Sequence, residues 1–257
     1  MRGASRTYSG RAGRTHALIG VDLDIGRGER VALLGPSGAG KSTLLALLNT
    51  TLSASGGTVF IDGQDAAALS GRALRQVRRR IGTIFQMPSL VPPLSTLDNV
   101  LCGRLPHWSL WRTLRSFVSP SPADRALAER VLAEVGLAGL GAARADELSG
   151  GQQQRVAIAR ALAQEPDAVL ADEPFAALDP ALKERLAELL CEVAGGRTLV
   201  TALHDVDLAL TYFPRIVGLS EGRVVFDLPA GDVTRERLAA LYERGTGDGD
   251  GRSAAPH

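Results

Sequence analysis

Lysine is nearly absent from this chain. Of 29 basic residues only Lys41 and Lys183 are Lys, and the rest are Arg. A Lys at any particular place therefore runs against the composition. Cysteine is equally sparse: Cys102 and Cys191 stand alone, with no CxxC spacing. That excludes a disulfide framework and a cysteine zinc site, and fits buried or free thiols in a reducing compartment. No apolar run approaches the roughly 18 residues that span a bilayer. The start, Met1-Arg2-Gly3-Ala4-Ser5, is followed by no apolar stretch, so no secretory signal is expected. Net charge is +1, which gives no global bias toward nucleic acid or an anionic surface. The one compact basic run, Arg78-Arg79-Arg80, reads as a solvated helix end. There is no internal repeat and no sustained heptad. What remains is a 257-residue chain, 45% apolar and 22% charged, with the means to bury one large core and an inserted subdomain.

Lys41 sits in the segment GPSGAGKST, Gly35 to Thr43, directly after the apolar run Val31-Ala32-Leu33-Leu34. Strand, glycine-rich loop and helix in that order form a phosphate-binding loop. Gly35, Gly38 and Gly40 let the backbone turn its N–H groups inward, with Pro36, Ser37 and Ala39 between them. Lys41 supplies charge for the β- and γ-phosphates, and Ser42 a hydroxyl for Mg²⁺. The helix that begins near Ser42 and Thr43 points its positive end at the same anion.

The rest of the chain alternates between strand and helix signals. Strands are expected within 15–35, around a turn at Gly26–Gly28, at Thr58–Ile61 ending in Asp62-Gly63, and at Ile81–Gln86. Helices are expected at 41–50, Arg72–Arg80, Ala181–Ala194 and Arg235–Arg244. Pro88, Pro92 and Pro93 break regular structure. Residues 95–165 are rich in Ala, Leu, Arg and Glu at helical spacing. Strand signals return at Ala168–Ala171, Thr198–Leu203, Ile216–Leu219 and Arg223–Phe226. The tail, 245–257, has no apolar anchors and is expected to be disordered. The pattern predicts an α/β core of parallel strands with phosphate chemistry at their C-terminal edge.

Two further segments carry chemistry. Ala168-Val169-Leu170-Ala171 buries a strand from which Asp172 emerges, placed to orient Mg²⁺ and its waters; Glu173 follows and can act as general base on water. Leu148-Ser149-Gly150-Gly151-Gln152 opens a helix, and such a start with small residues can bind an anion or be a plain N-cap.

The set GPSGAGKST, Phe85-Gln86, LSGGQ, the acidic strand end and His204 resembles the ATP-binding cassette ATPases over roughly residues 6–244. The resemblance implies a P-loop NTPase fold of the ABC type, with an antiparallel β subdomain and an inserted helical subdomain. The core would cover about 15–87 and 166–230, and the insert about 88–165. It implies a head-to-tail homodimer with ATP and Mg²⁺ between the phosphate loop of one copy and Ser149, Gly150, Gly151 and Gln152 of the other. By the same resemblance, Gln86 would sense Mg²⁺ and the attacking water. His204 would contact the γ-phosphate and support Glu173, and Asp179 would cross the dimer interface. Where the family commonly has Ser, Ala177 stands, which removes a hydroxyl from that loop. Tyr8 is the candidate to stack on adenine. The family usually has an edge strand here, and by that standard the N-terminus reads as short.

Residues 90–137 resemble the phosphonate-import ATPases, as do Ala143–Pro180, HDVDLAL from His204 and RIVGLSEGRVVFD from Arg215. That resemblance implies integral membrane permease subunits, indirect work with an extracytoplasmic substrate-binding protein, and a place on the cytoplasmic face of the inner membrane. No nucleic acid is expected. Met87-Pro88 departs from the family, which more often has a polar residue and Phe there. Trp108, Trp111, Leu114 and Phe117 fit either the core of the insert or an exposed patch that docks a membrane subunit. Other readings are an importer for phosphate, polar amino acids or metals, a small exporter, a DNA-repair or chromosome-organising cassette, and a cassette that binds ATP without hydrolysing it.

Overall fold

The computed structural model describes residues 1–10, 13–176 and 178–243. Ala177 and the tail at 245–257 lie outside them. In chain order the first part holds β1 (Arg2–Gly10), β2 (Gly13–Val21), β3 (Arg30–Leu34), α1 (Lys41–Leu48), β4 (Gly56–Thr58), β5 (Phe60–Ile61) and β6 (Gln64–Asp65). Then come α2 (Gly71–Arg79), β7 (Ile81–Ile84), α3 (Thr96–Leu101), α4 (Leu110–Val118), α5 (Pro122–Glu134) and α6 (Gly150–Ala163). The last part holds β8 (Ala168–Asp172), α7 (Pro180–Ala194), β9 (Thr198–Ala202), α8 (Val206–Tyr212), β10 (Arg215–Ser220), β11 (Arg223–Pro229) and α9 (Arg235–Glu243). No helix among the described residues is long and apolar enough to cross a membrane.

The chain divides into two compact units. The first holds 1–25, 30–68 and the chain from Ala202 on. In it β3 pairs in parallel with β10, which pairs antiparallel with β11. Val31, Ala32, Leu33 and Leu34 of β3 are fully buried, as an unbroken apolar strand requires. An antiparallel sheet of order β2-β1-β4 supplies the expected β subdomain. Its strand β1 occupies the region that reads as short in the sequence. Only Ala4 of that strand is buried, so it carries no alternating apolar signal; pairing on both edges holds it instead. The expected strand 58–61 is split at the buried Val59. The turn after it, Asp62-Gly63, has φ of 49° and 76°, the left-handed pair of a tight hairpin joining β5 and β6.

The second unit holds 26–29 and 69–201. β7 and β8 are parallel neighbours in it, with Val169, Leu170 and Ala171 buried. Five helices begin with a capping side chain that accepts a backbone N–H: Ser95 for α3, Ser109 for α4, Ser121 for α5, Ser149 for α6 and Asp179 for α7. Each such cap contributes about 1 kcal/mol. The fully buried Asn99 ties down the proline-broken loop. Its Oδ1 accepts from Val91 N–H, and its Nδ2 donates to the carbonyls of Val91 and Ser95. The basic run ends α2 as expected, but Arg80 also donates to Asp167 at 2.5 Å, and Arg79 donates to the Pro106 carbonyl.

Candidate functional site

The phosphate loop lies in the first unit. Gly35 (φ 152°) and Gly40 (φ 104°) are forced choices. A Cβ on Gly35 would sit 2.0 Å from the Leu219 carbonyl oxygen, and one on Gly40 2.5 Å from that of Ala17. Both contacts are to backbone and cannot be relieved by a rotamer. The loop is braced from outside, since Gly222 N–H donates to the Ala39 carbonyl and Ile19 N–H to that of Gly222. Gly38 differs: its φ is 79° and nothing lies within 4 Å of its Cβ position, so this part of the cradle is open. Lys41 is only 4% exposed, and its Nζ donates to the carbonyls of Gly35 at 2.7 Å and Pro36 at 3.1 Å. Buried ammonium groups are costly without partners. Here the loop's own carbonyls hold the cation inside the cradle. Ser37 and Ser42 are exposed, and Pro36 and Thr43 half-buried.

Tyr8 reaches the same place. Its hydroxyl is 3.5 Å from Thr43 Oγ1, and the Arg6 guanidinium lies 5.0 Å from its ring centre. Arg6 is itself held by the Ser53 carbonyl at 2.8 Å. One face of the tyrosine thus meets a cation, and the residue is still 38% exposed. His204 follows β9 and is exposed, next to Asp205, which caps α8. Tyr242 of α9 places its hydroxyl 3.5 Å from the His204 carbonyl, and the Gly35 backbone amide bears on the same hydroxyl. Burial pushes that phenol's pKa up. Its apolar neighbour, Leu241, is fully buried. Neither Arg6 nor Tyr242 shows in the sequence as a site residue, because only the pairing of β1 and the docking of α9 bring them to the loop.

The second unit carries the other candidate residues. Asp172 ends β8. Glu173 has φ 46°, a left-handed conformation that a glutamate adopts only under constraint. Its carbonyl accepts Ala176 N–H and starts the turn that leads to Asp179. Gln86 is exposed just beyond β7, and the loop after it is clamped. The Arg160 guanidinium donates to the carbonyls of Pro88 at 2.7 Å and Ser89 at 2.8 Å. Arg160 belongs to α6, the helix that Ser149 caps, so one helix carries the signature residues at its start and fixes the Gln86 loop further along. The sequence hint was an Arg inside the apolar stretch Ala157–Ala163.

Ser149 and Gln152 form a reciprocal capping box: Ser149 Oγ accepts Gln152 N–H and Gln152 Oε1 accepts Ser149 N–H. The plain N-cap reading is therefore true of Ser149, whatever else it does. Gly150 is open, with nothing within 4 Å of its Cβ position. Gly151 faces Leu182, whose N–H is taken by Asp179 at 3.0 Å. The signature and the Asp179 loop meet through that leucine. No group of three or more His, Cys, Asp or Glu side chains that could hold a metal occurs among the described residues. A metal bound with one carboxylate, one hydroxyl and phosphate oxygens needs no such cluster, and that donor set suits Mg²⁺.

The glycine cradle with a buried lysine, the acidic strand end and the capped LSGGQ helix are those of a nucleotide-binding cassette. The family model for ABC transporters matches residues 18–176. The chain belongs to the ABC transporter family, as one of its ATP-hydrolysing cassettes. It is 50% identical over 250 residues to the phosphonates import ATP-binding protein PhnC of Anaeromyxobacter dehalogenans, covering 97% of this chain and 49% of that protein. The chain thus spans about half the length of that relative. It is 48% identical to PhnC of Pseudomonas putida over 90% of this chain and 86% of that one. Among solved structures, the ATP-binding cassette MJ0796 in a dimeric post-hydrolysis state bound to ADP and Pi matches with a TM-score of 0.77 at 36% identity. That match covers 89% of this chain and 97% of the other. The cassette cbiO1 of Clostridium perfringens, part of the transporter complex cbiONQ, matches with a TM-score of 0.77 at 31% identity, covering 93% and 91%.

Proposed function

We propose that this cassette is the energy-coupling subunit of a phosphonate importer, working as a homodimer on the cytoplasmic face of a membrane with integral permease subunits. Its core would be the segments at about 15–87 and 166–230, and 88–165 its insert. The support for phosphonate as cargo is the identity to PhnC proteins across nine-tenths of the chain, the long insert included. The support for the chemistry is Lys41, buried in a cradle whose Gly38 rim is open.

In this reading the amides of Gly35–Thr43 and the Lys41 ammonium bind the triphosphate, and Tyr8 stacks on the adenine. Ser42, Asp172 and Gln86 would hold Mg²⁺, which would supply charge neutralisation on the phosphates. Glu173 accepts a proton from the attacking water, and its left-handed backbone fixes where that carboxylate points. His204 donates to the γ-phosphate. Ser149 and the amides that follow it, with Gln152 at the end of the cap, contact the nucleotide of the other copy, and Asp179 meets that copy's loop. Lys41 and Ser149 together stabilise charge on the transferred phosphoryl group. The Gln86 loop, clamped by Arg160, carries closure toward the permease.

The test is genetic. A strain lacking this gene should fail to grow on methylphosphonate as sole phosphorus source and still grow on phosphate. Wild-type protein should restore growth and Lys41→Ala should not. Undiminished growth of the deletion strain on phosphonate would overturn the cargo assignment.

A further inference from the structure

Helix α4 is turned inside out. On a helical wheel, at about 100° per residue, Leu110, Leu114, Phe117, Val118 and Trp111 share one arc of about 120°. In a globular protein such an arc faces the core. Here it faces out: Leu110 is 74% exposed, Trp111 82%, Leu114 54% and Val118 88%. The side turned inward carries the small polar residues Thr113 and Ser116. Ser116 is 5% exposed, and its hydroxyl and the indole N–H of the buried Trp108 find no hydrogen-bond partner. The fold gives up ordinary packing to hold this arrangement. It is fixed by the Ser109 cap, by Arg112 paired with the buried Asp124 at 3.0 Å, and by that guanidinium lying 5.2 Å from the Trp108 ring centre.

On the Trp111 edge of the arc the charge is positive, while the Phe117 edge gives onto a cavity lined by Asp98, Arg125 and Glu129. Arg115 borders it and Arg112 lies next around the helix. No Asp or Glu occurs between Asp98 and Asp124, a stretch that also contains Arg104. The surface is an exposed arc of Trp, Phe, Leu and Val with arginine along one edge. That chemistry matches the headgroup boundary of an anionic bilayer, where an indole and aliphatic side chains enter the lipid and guanidinium groups meet phosphates.

We infer that α4 is a lipid-contacting ridge that partitions reversibly into the surface of an anionic membrane. Nine residues bury too little to anchor the protein alone. The contact supplements whatever else holds it, and it depends on the proposed function only for the presence of a membrane nearby.

The experiment uses the full-length protein, without permease, and vesicles of phosphatidylglycerol with phosphatidylcholine or of phosphatidylcholine alone. Flotation should recover the protein with the anionic vesicles, and Trp fluorescence should shift to the blue, since Trp111 is the exposed one of two indoles. Trp111→Glu with Leu114→Glu should weaken binding at least about tenfold. Arg115→Glu should weaken it less and remove the preference for anionic lipid. All three changes lie on exposed positions, so the thermal melt and the ATPase rate in solution should match wild type. No flotation with anionic vesicles would overturn the inference. So would concentration-dependent self-association abolished by Trp111→Glu without any vesicle binding, which would assign the ridge to a second copy. Binding only to vesicles that contain the permease, whatever their lipid, would assign it to that protein instead and equally end the lipid proposal.

Discussion

The phosphate loop and the signature segment are both glycine-bearing starts of helices, yet the fold treats them oppositely. At Gly35 and Gly40 a side chain would strike backbone oxygen at 2.0 and 2.5 Å. At Gly150 it would meet nothing within 4 Å, and at Gly151 only the flexible end of Leu182. Neither signature glycine has a left-handed φ. The first pair is therefore required by the protein's own packing. The second pair is not, and Gly inside a helix start costs up to about 1 kcal/mol relative to Ala. A residue that the fold does not need and would do better without points to something outside the chain that must come close.

Substitution separates the two pairs of glycines. The largest effect belongs to Gly35→Ala, which should destabilise the protein by about 3 kcal/mol or more. That would lower the melting temperature by roughly 6 °C or more and abolish ATP binding, measured by scanning calorimetry and titration. Glu173→Gln should leave the melt and ATP binding intact while hydrolysis falls about 10²- to 10⁴-fold. Full turnover by that variant would remove Glu173 from its role. Tyr8→Ala should weaken ATP binding by roughly 5- to 150-fold, the range for loss of one stacked base, with little change in turnover at saturating ATP. Gly150→Ala is the sharpest contrast with Gly35→Ala. It should raise the melting temperature by up to about 4 °C and leave ATP binding alone, yet slow hydrolysis. A destabilised Gly150→Ala protein would contradict the reading of that glycine as packing-free.

The smallest effect concerns pH. Burial, with help from Arg104 and Arg79, lowers the pKa of His107, while the Gln164 carbonyl at 3.0 Å and Glu165 work the other way. The folded state prefers the neutral ring, so stability from this group is complete above the unfolded value of about 6.5 and declines as pH falls below it. His107→Gln should flatten that decline in melts taken between about pH 5 and 7.

The features legible in the sequence were those written in contiguous residues: the apolar run and glycines of 31–43, the strand ending at Asp172, and the helix start at Ser149. Features made by distant residues were not. β1 hides because its pairing, not its side chains, holds it. The Arg160 clamp on Pro88 and Ser89 joins positions about seventy residues apart. The Trp108–Phe117 stretch has the spacing of a core helix and resolves both ways: Trp108 is buried, and Trp111, Leu114 and Phe117 are exposed. Periodicity shows that an apolar face exists but not which way it points.

In the proposed dimer the open Gly150 faces the phosphate loop of a second copy across shared ATP. The mass of Glu173→Gln by light scattering, with and without Mg-ATP, tests it most directly. The expected result is a mass that doubles from 27.0 kDa when nucleotide is added, and fails to double when Gly150→Arg is also present although ATP still binds. A protein that binds Mg-ATP fully and stays at the mass of one chain would contradict it.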